Sequence, residues 1–424
     1  MLAWRGLKRL QVGFLSYEGN KLKPARTKMT ILLLFFTFLL ICETTFSNEA
    51  DSSIALSRLS MINTFELSSY DVSERIYNVS TDAELQDAIA TGESATIIIF
   101  ADIQISETLT INNTRKIVFE SAPGERFTLS GSGSQHLMDL TGATHVLIKN
   151  LILADFKSEK KYYAGAIDAK GRNVTLVVVD SQFQSNNQGT QEIDELGGAV
   201  GCRGAICEFY GVKFNNLTAM HGGAVYLTES SKASFVDVVF KGTKSMYYGG
   251  AVFADDHSRI TFLKATFISS STSDSNGYGG AIRLDGGSRA LFTESIFIDC
   301  NAARGGAIYQ QGEGTKSSFF NSSFTSCIAN MYGGGSLYLI YGAEARFVEV
   351  SFVSCKSYNS GGSGKGSGGA VSVRDGSSAF FEKSSFSFCY AETNGGAIRN
   401  VDGSKTVFVQ GKVVGATSTE PACE

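Results

Sequence analysis

The tetrapeptides "GGAV" at Gly197, Gly222, Gly249 and Gly368, and "GGAI" at Gly279, Gly305 and Gly395, most narrow what this chain can become. Weaker copies, "AGAI" at Ala164 and "GGGSL" at Gly333, extend the series. Aligned on the second glycine, copies stand at 198, 223, 250, 280, 306, 334, 369 and 396, in steps of 25, 27, 30, 26, 28, 35 and 27. Self-similarity at such a period marks a repeat architecture, in which each unit buries its apolar face only against its neighbours. Unequal steps place insertions at turns.

Each unit also carries two Phe residues five apart: Phe209/Phe214, Phe235/Phe240, Phe262/Phe267, Phe292/Phe297, Phe319/Phe324, Phe347/Phe352 and Phe381/Phe386. On one continuous strand an odd spacing points two side chains to opposite faces. Both reach a common interior only if the chain turns a corner between them. The residue two after the first Phe is polar in six of these seven pairs (Asp237, Lys264, Glu294, Asn321, Glu349, Lys383), as an outward corner requires. Stacked in register, that column alternates charge in places, which is mildly favourable.

Each unit therefore reads as three short strands joined by corners. Such strands are stable only when they pair with the turns above and below, about 4.8 Å away. The predicted fold is all-β: a right-handed parallel β-helix of about 12 coils, a rod of roughly 55 to 60 Å. At the GGA corner, glycine supplies the permissive backbone. Ala fits the narrow interior there, and Val or Ile fills the core. In "VSTDAELQDAIA", Thr81 and Glu84 form a capping box, and Ala83, Leu85, Ala88 and Ile89 offer an apolar helical face. This predicts a short helix shielding the first coil. The expected organisation is a targeting segment at 1–47, a leader at 48–70, cap and first coils at 71–160, the GGA-repeat β-helix at 161–412 and a tail at 413–424. "VVGATSTEPACE" carries no cap signal, which leaves the last coil to a partner, to further repeats or to fraying.

Basic "KLKPARTK" precedes an eleven-residue apolar run, Ile31 to Ile41, interrupted once by Thr37. That is short for a membrane span and suits a signal peptide cut after Ser47, with an uncleaved anchor as the alternative and Met1 or Met29 as the start. After cleavage no transmembrane span is expected, and the localisation reads as secreted or cell-surface. The 424-residue chain has 37 basic and 41 acidic residues. Residues 1–47 hold seven and two of these, so the remainder has a net charge of −9. An acidic surface argues against nucleic acid as a partner and, less strongly, against acidic polysaccharides. Five sequons, at Asn78, Asn112, Asn173, Asn216 and Asn321, are glycosylation acceptors if the source is eukaryotic.

The GGA[ILV] repeat, with its F-x-x-N companion, resembles that of the chlamydial polymorphic membrane proteins. The early coils resemble the pectin-lyase-like β-helix superfamily. Seven intact GGA copies across residues 165–400 carry the likeness, whereas only "FQSN" at Phe183 to Asn186 completes F-x-x-N. No C-terminal membrane barrel is expected in residues 413–424, so the full autotransporter arrangement is not expected within this sequence. The resemblance implies an exported, surface-displayed β-helix used in adhesion; it supplies no ligand.

Cys300, Cys327, Cys355 and Cys389 each lie three after the second Phe, where other turns place Thr243 and Ser270. They read as an interior ladder of small buried residues, with disulfides between coils as the alternative. Cys202 and Cys207, across a short loop, are the better disulfide candidates. Asp255, Asp256 and His257 in "ADDHSR" mimic an acid/base set. The same slot elsewhere reads "TESSKAS", "LDGGSRA" and "QGEGTKS", a polar turn. Asp-Gly turns at Asp285, Asp375 and Asp402 are ordinary turn chemistry. His136, His145, His221 and His257 are scattered, and no metal or cofactor site is expected. Two functions remain. The first is a non-catalytic module binding a surface protein or glycan. The second is a carbohydrate-active lyase, hydrolase or epimerase.

Overall fold

A computed structural model of the chain describes residues 75–112, 115–131, 136–158, 163–184, 196–359 and 366–419. The targeting segment, the leader and Cys423 lie outside these residues. The described residues form an all-β parallel β-solenoid with almost no helix. Its strands join four sheets of 13, 12, 11 and 8 members, every recorded pairing parallel and each strand bonded to its counterparts in the neighbouring turns.

The thirteen-stranded sheet carries the first Phe of each pair, on strands such as Lys232–Val236, Arg259–Leu263 and Arg289–Thr293. The twelve-stranded sheet carries the second, on Val239–Lys241, Thr266–Ile268 and Ile296–Ile298. The eleven-stranded sheet follows the GGA corner, with Val225–Thr228, Val252–Ala254 and Ile282–Leu284. The eight-stranded sheet begins at Thr218–His221 and continues through Lys244–Tyr248 and Asn301–Arg304. This fourth sheet goes beyond the three strands per unit expected from sequence. Its strands are two to six residues long and of mixed polarity, so they carry no two-residue alternation to reveal them.

Both Phe columns face the core. Phe240, Phe267 and Phe297 are fully buried and register-paired. Their rings stack 4.8 and 4.6 Å apart, within 2° and 3° of parallel. Phe262 meets Phe267 edge-on across the corner at 5.5 Å. Parallel pairing in register gives the offset within a column, and the corner gives the edge-to-face contact between columns; both are favourable ring geometries.

The corner itself is a left-handed residue. Asn150, Asp180, Asp237, Lys264, Glu294, Asn321, Glu349 and Lys383 all have φ between 46° and 57°. One αL residue between two strands reverses the side-chain alternation, so two Phe residues five apart both face inward. The polar column is thus backbone-determined as well as exposed. Within it Glu349 and Lys383 form an ion pair, at 3.5 Å. Because a side chain in αL costs about 1 kcal/mol, Glu294→Gly should be neutral to stabilising by about 0.5 kcal/mol, and Asn321→Gly should change less. Urea denaturation of the two variants checks this; a clear loss from Glu294→Gly would show that the carboxylate does more than occupy the corner.

A nine-residue helix, Asp82–Ala90, lies against the first strands. Its capping box forms: Glu84 N–H donates to Thr81 Oγ1 at 3.3 Å, and Thr81 N–H donates to Glu84 Oε2 at 3.1 Å. Leu85, Ala88 and Ile89 are buried, while Ala83 faces outward. No helix among the described residues is long and apolar enough to cross a membrane.

Candidate functional site

Two outward columns flank every GGA corner. The residue after GGA[VI] runs, in register, Asp168, Gly201, Tyr226, Phe253, Arg283, Tyr309, Tyr338, Ser372 and Arg399. The residue before it runs His221, Tyr248, Tyr278, Arg304 and Gly333. The Gly-Gly pair has no side chain to hold these columns apart, so they merge into one face of aromatic rings and guanidinium groups.

Contacts along the face are continuous. His221 stacks on Tyr248 at 4.5 Å, Tyr248 meets Phe253 at 5.5 Å, and Tyr278 meets Tyr309 edge-on at 4.7 Å. Arg283 sits over Tyr248 at 3.8 Å and over Tyr278 at 5.0 Å, anchored to Asp285 at 2.6 Å. Arg304 lies over Tyr332 at 3.8 Å and donates to the Tyr278 hydroxyl. Burial pushes the Tyr226, Tyr309 and Tyr338 phenols above their usual range, so they stay neutral hydrogen-bonding groups. Tyr309 and Tyr338 form the floor at 3% exposure, while Tyr226, Tyr248, Tyr278 and Tyr332 are half-buried and open to a ligand.

At the N-terminal end of the face the chemistry changes. Asp139 and Asp168 are register partners on adjacent strands. His136 Nε2 is 2.7 Å from Asp139 Oδ1, and Arg203 Nε is 3.2 Å from Asp168 Oδ1. Tyr163 bridges the two pairs, its ring 5.7 Å from His136 and 5.2 Å from the Arg203 guanidinium. His136 and Asp168 are each 3% exposed. Burial raises the Asp168 carboxyl above the usual range; the Arg203 charge opposes this and the Asp139 charge adds to it. Buried Nη2 of Arg203 has no hydrogen-bond partner among the described residues. Sequence spacing left His136 isolated, but the fold sets it beside a carboxylate pair on neighbouring turns.

Asp255, Asp256 and His257 lie elsewhere, in an exposed turn. Asp256 and His257 are both left-handed, at φ 49° and 59°. Asp255 accepts from the Asp256 N–H at 2.7 Å, and His257 Nδ1 lies 3.2 Å from Asp256 Oδ1. The turn is held by these contacts within itself, and the Asp255 and Asp256 charges also act on the Tyr226 phenol. Among the described residues no group of three His, Cys, Asp or Glu is placed to hold a metal.

Cys202 and Cys207 are joined in a disulfide, their Cα atoms 6.6 Å apart. Cys300, Cys327, Cys355 and Cys389 are free and fully buried. Cys300 and Cys327 Sγ each face the carbonyl of the second Phe in the preceding turn, Phe267 at 3.9 Å and Phe297 at 3.8 Å. Cys355 and Cys389 repeat the contact with Phe324 and Phe352. The column continues upward as Thr243 and Ser270, whose hydroxyls meet at 2.8 Å. Burial holds the Cys327 thiol well above its usual range, keeping it protonated. Asn78, Asn112, Asn173, Asn216 and Asn321 are all exposed.

A single alignment signal would have found the face: the residues on either side of each GGA, read as columns. Comparisons with known proteins find neither a family model nor a curated protein that matches the chain. Among solved structures, the chain is similar to L. reuteri 53608 SRRP at 13% identity and a TM-score of 0.37, over 81% of this chain and 99% of that one. It is similar to a mannuronic acid specific polysaccharide family 6 lyase from human gut microbiota at 11% identity and a TM-score of 0.40, over 79% and 91% of the two chains. It is also similar to an alginate lyase from Paenibacillus sp. str. FPU-7 at 11% identity and a TM-score of 0.20, over 80% and 99%.

Proposed function

We propose that this protein is an exported, surface-displayed right-handed β-helix that binds glycan ligands along its GGA face, as an adhesion module. The observation that carries this is the merging of the two flanking columns into one strip of half-buried Tyr, His and Arg across successive turns. A pyranose ring has an apolar C–H face and hydroxyl edges. Aromatic rings offer an apolar surface for the first, and Tyr hydroxyls and guanidinium groups offer hydrogen bonds for the second. Residues 1–47 are the export signal on this reading, and the helix Asp82–Ala90 closes the first coil. The Cys202–Cys207 disulfide belongs with an oxidising compartment, and the five exposed sequons carry glycans if the source is eukaryotic.

A glycan array followed by calorimetry on the best ligand tests the reading. Tyr248→Ala with Tyr278→Ala should weaken binding about tenfold or more, as loss of central aromatic anchors does. An unchanged affinity in a folded double variant would remove the GGA face as the binding surface.

The buried His136–Asp139 and Asp168–Arg203 pairs favour a second reading, a carbohydrate-active lyase, hydrolase or epimerase acting at the N-terminal end of the strip. Two carboxylates on adjacent turns, one with its carboxyl raised by burial and the other beside a histidine, have the form of an acid/base couple. Incubation with pectate, alginate and neutral glycans separates the readings. New chain ends or epimers that vanish in Asp168→Asn support catalysis; no turnover on any of them leaves binding alone.

A further inference from the structure

A second surface feature lies away from the GGA face, at the corner between the thirteen- and twelve-stranded sheets. The αL column at this corner carries a side chain in turn after turn, but at one turn it holds Gly211, with φ 64°. Gly211 lines a cleft of about 480 Å³. Arg126, Lys149 and Lys213 line it, from three separate stretches of chain, together with Asp180. In a chain with a net negative charge, three cations around one carboxylate are not the average surface.

The cleft is organised before any ligand arrives. Arg126 Nε donates to Asn150 Oδ1 and its Nη2 to the Asp180 carbonyl, both at 2.9 Å. Asn150 in turn donates to the Glu125 carbonyl at 2.6 Å. These bonds fix one edge of the guanidinium and leave Nη1 without a partner among the described residues. Lys149 has only a loose, half-exposed contact with Glu120, at 3.6 Å. Lys213 is exposed and is the first residue of its strand, Lys213–Asn215. Ser181 forms the buried floor, its hydroxyl already committed to the Val179 carbonyl at 2.8 Å and to the Leu151 N–H at 3.1 Å. The floor adds no charge of its own.

We propose that this cleft is an oxyanion site, built for a sulfate or phosphate group free in solution or esterified on a glycan. Three cations approach from different turns instead of forming one planar fork. That arrangement suits a tetrahedral group with several oxygens: the Arg126 edge takes one oxygen, and the two ammonium groups act as point charges on the others. Asp180 is the carboxylate among the described residues lining the cleft, and with Glu120, 3.6 Å from the Lys149 ammonium, it limits the affinity. The site is independent of the GGA face, so it stands or falls without the glycan-binding reading.

The test titrates the full chain with sodium sulfate, sodium phosphate and, at matched ionic strength, sodium chloride, followed by calorimetry or amide NMR. Sulfate or phosphate should bind saturably and chloride should not. Lys149→Gln with Lys213→Gln should weaken binding about fivefold or more, the scale of two partly exposed charge contacts. Asp180→Asn should strengthen it about threefold, a gain that loss of structure does not produce. Gly211→Asn should abolish it by refilling the corner, since an added Cβ sits 2.5 Å from Asp180 Oδ1. Asn is at ease at this φ, as at Asn150 and Asn321. A sulfated oligosaccharide that binds more tightly than inorganic sulfate, with the same response to the variants, identifies the esterified form; equal affinity identifies the free ion. Sulfate and phosphate perturbing no more than chloride, or Asp180→Asn failing to tighten binding, overturns the site.

Discussion

Gly280→Ala is expected to cost more than about 3 kcal/mol of stability for the addition of one methyl group. The second glycine of each GGA corner lies directly beneath the carbonyl of the second glycine of the next turn. A Cβ on Gly280 would fall 2.6 Å from both N and O of Asn301 and closer still to the Gly306 carbonyl. All three atoms are backbone, held by the ladder, so none can swing aside as a side chain would. The same stacking of corner on carbonyl recurs at Gly223, Gly250, Gly306, Gly335 and Gly369. Gly403 is the contrast: its φ of 73° would strain an alanine, but nothing lies within 4 Å of the added carbon. Gly403→Ala should therefore cost only about 1 kcal/mol, the backbone term alone. Denaturant unfolding of the pair, with limited proteolysis to localise any opened turn, gives the comparison. If Gly280→Ala unfolds within 1 kcal/mol of the parent, the close approach of neighbouring turns is not as described.

Phe267→Ala should cost about 3 to 5 kcal/mol. The ring is fully buried, sandwiched between Phe240 and Phe297, and touched edge-on by Phe262. Removing it leaves a hole that strands pinned in four ladders cannot close by local collapse. In a solenoid each turn is stabilised by its neighbours, so the damage should appear as broken cooperativity as well as lower stability. Phe267→Ala combined with Phe297→Ala should depart from additivity, because both delete the same stacking contact. Additive costs would mean that the column is a row of independent burials, not a stack.

Much of this core is legible in the amino acids themselves. Two phenylalanines at an odd spacing demand a corner, and a polar residue between them marks its position; the backbone meets that demand with left-handed φ values at Asp237, Lys264 and Glu294. Thr81 and Glu84 announce the helix start. The fourth sheet is not legible, because Ser271–Thr272 and Lys356–Ser357 are two-residue strands defined by their neighbours alone. The GGA face is hidden for a different reason: it consists of the flanks of a repeating motif, and Tyr278, Arg283 and Tyr309 share no residue type that would mark them as neighbours. Proximity of His136 to Asp168 and Arg203 depends on the turn-to-turn register, which no local spacing encodes.

The uniform pitch of the ladders has one more consequence. Parallel strands in register set every outward column on a grid of about 4.8 Å, close to the length of a single sugar residue. On the binding reading proposed above, a polymeric guest would span several rungs at once and meet a different side chain on each, Phe253, Arg283, Tyr309 and Tyr338 in turn, so its residence should lengthen with the number of monomers and its register should be set by that order.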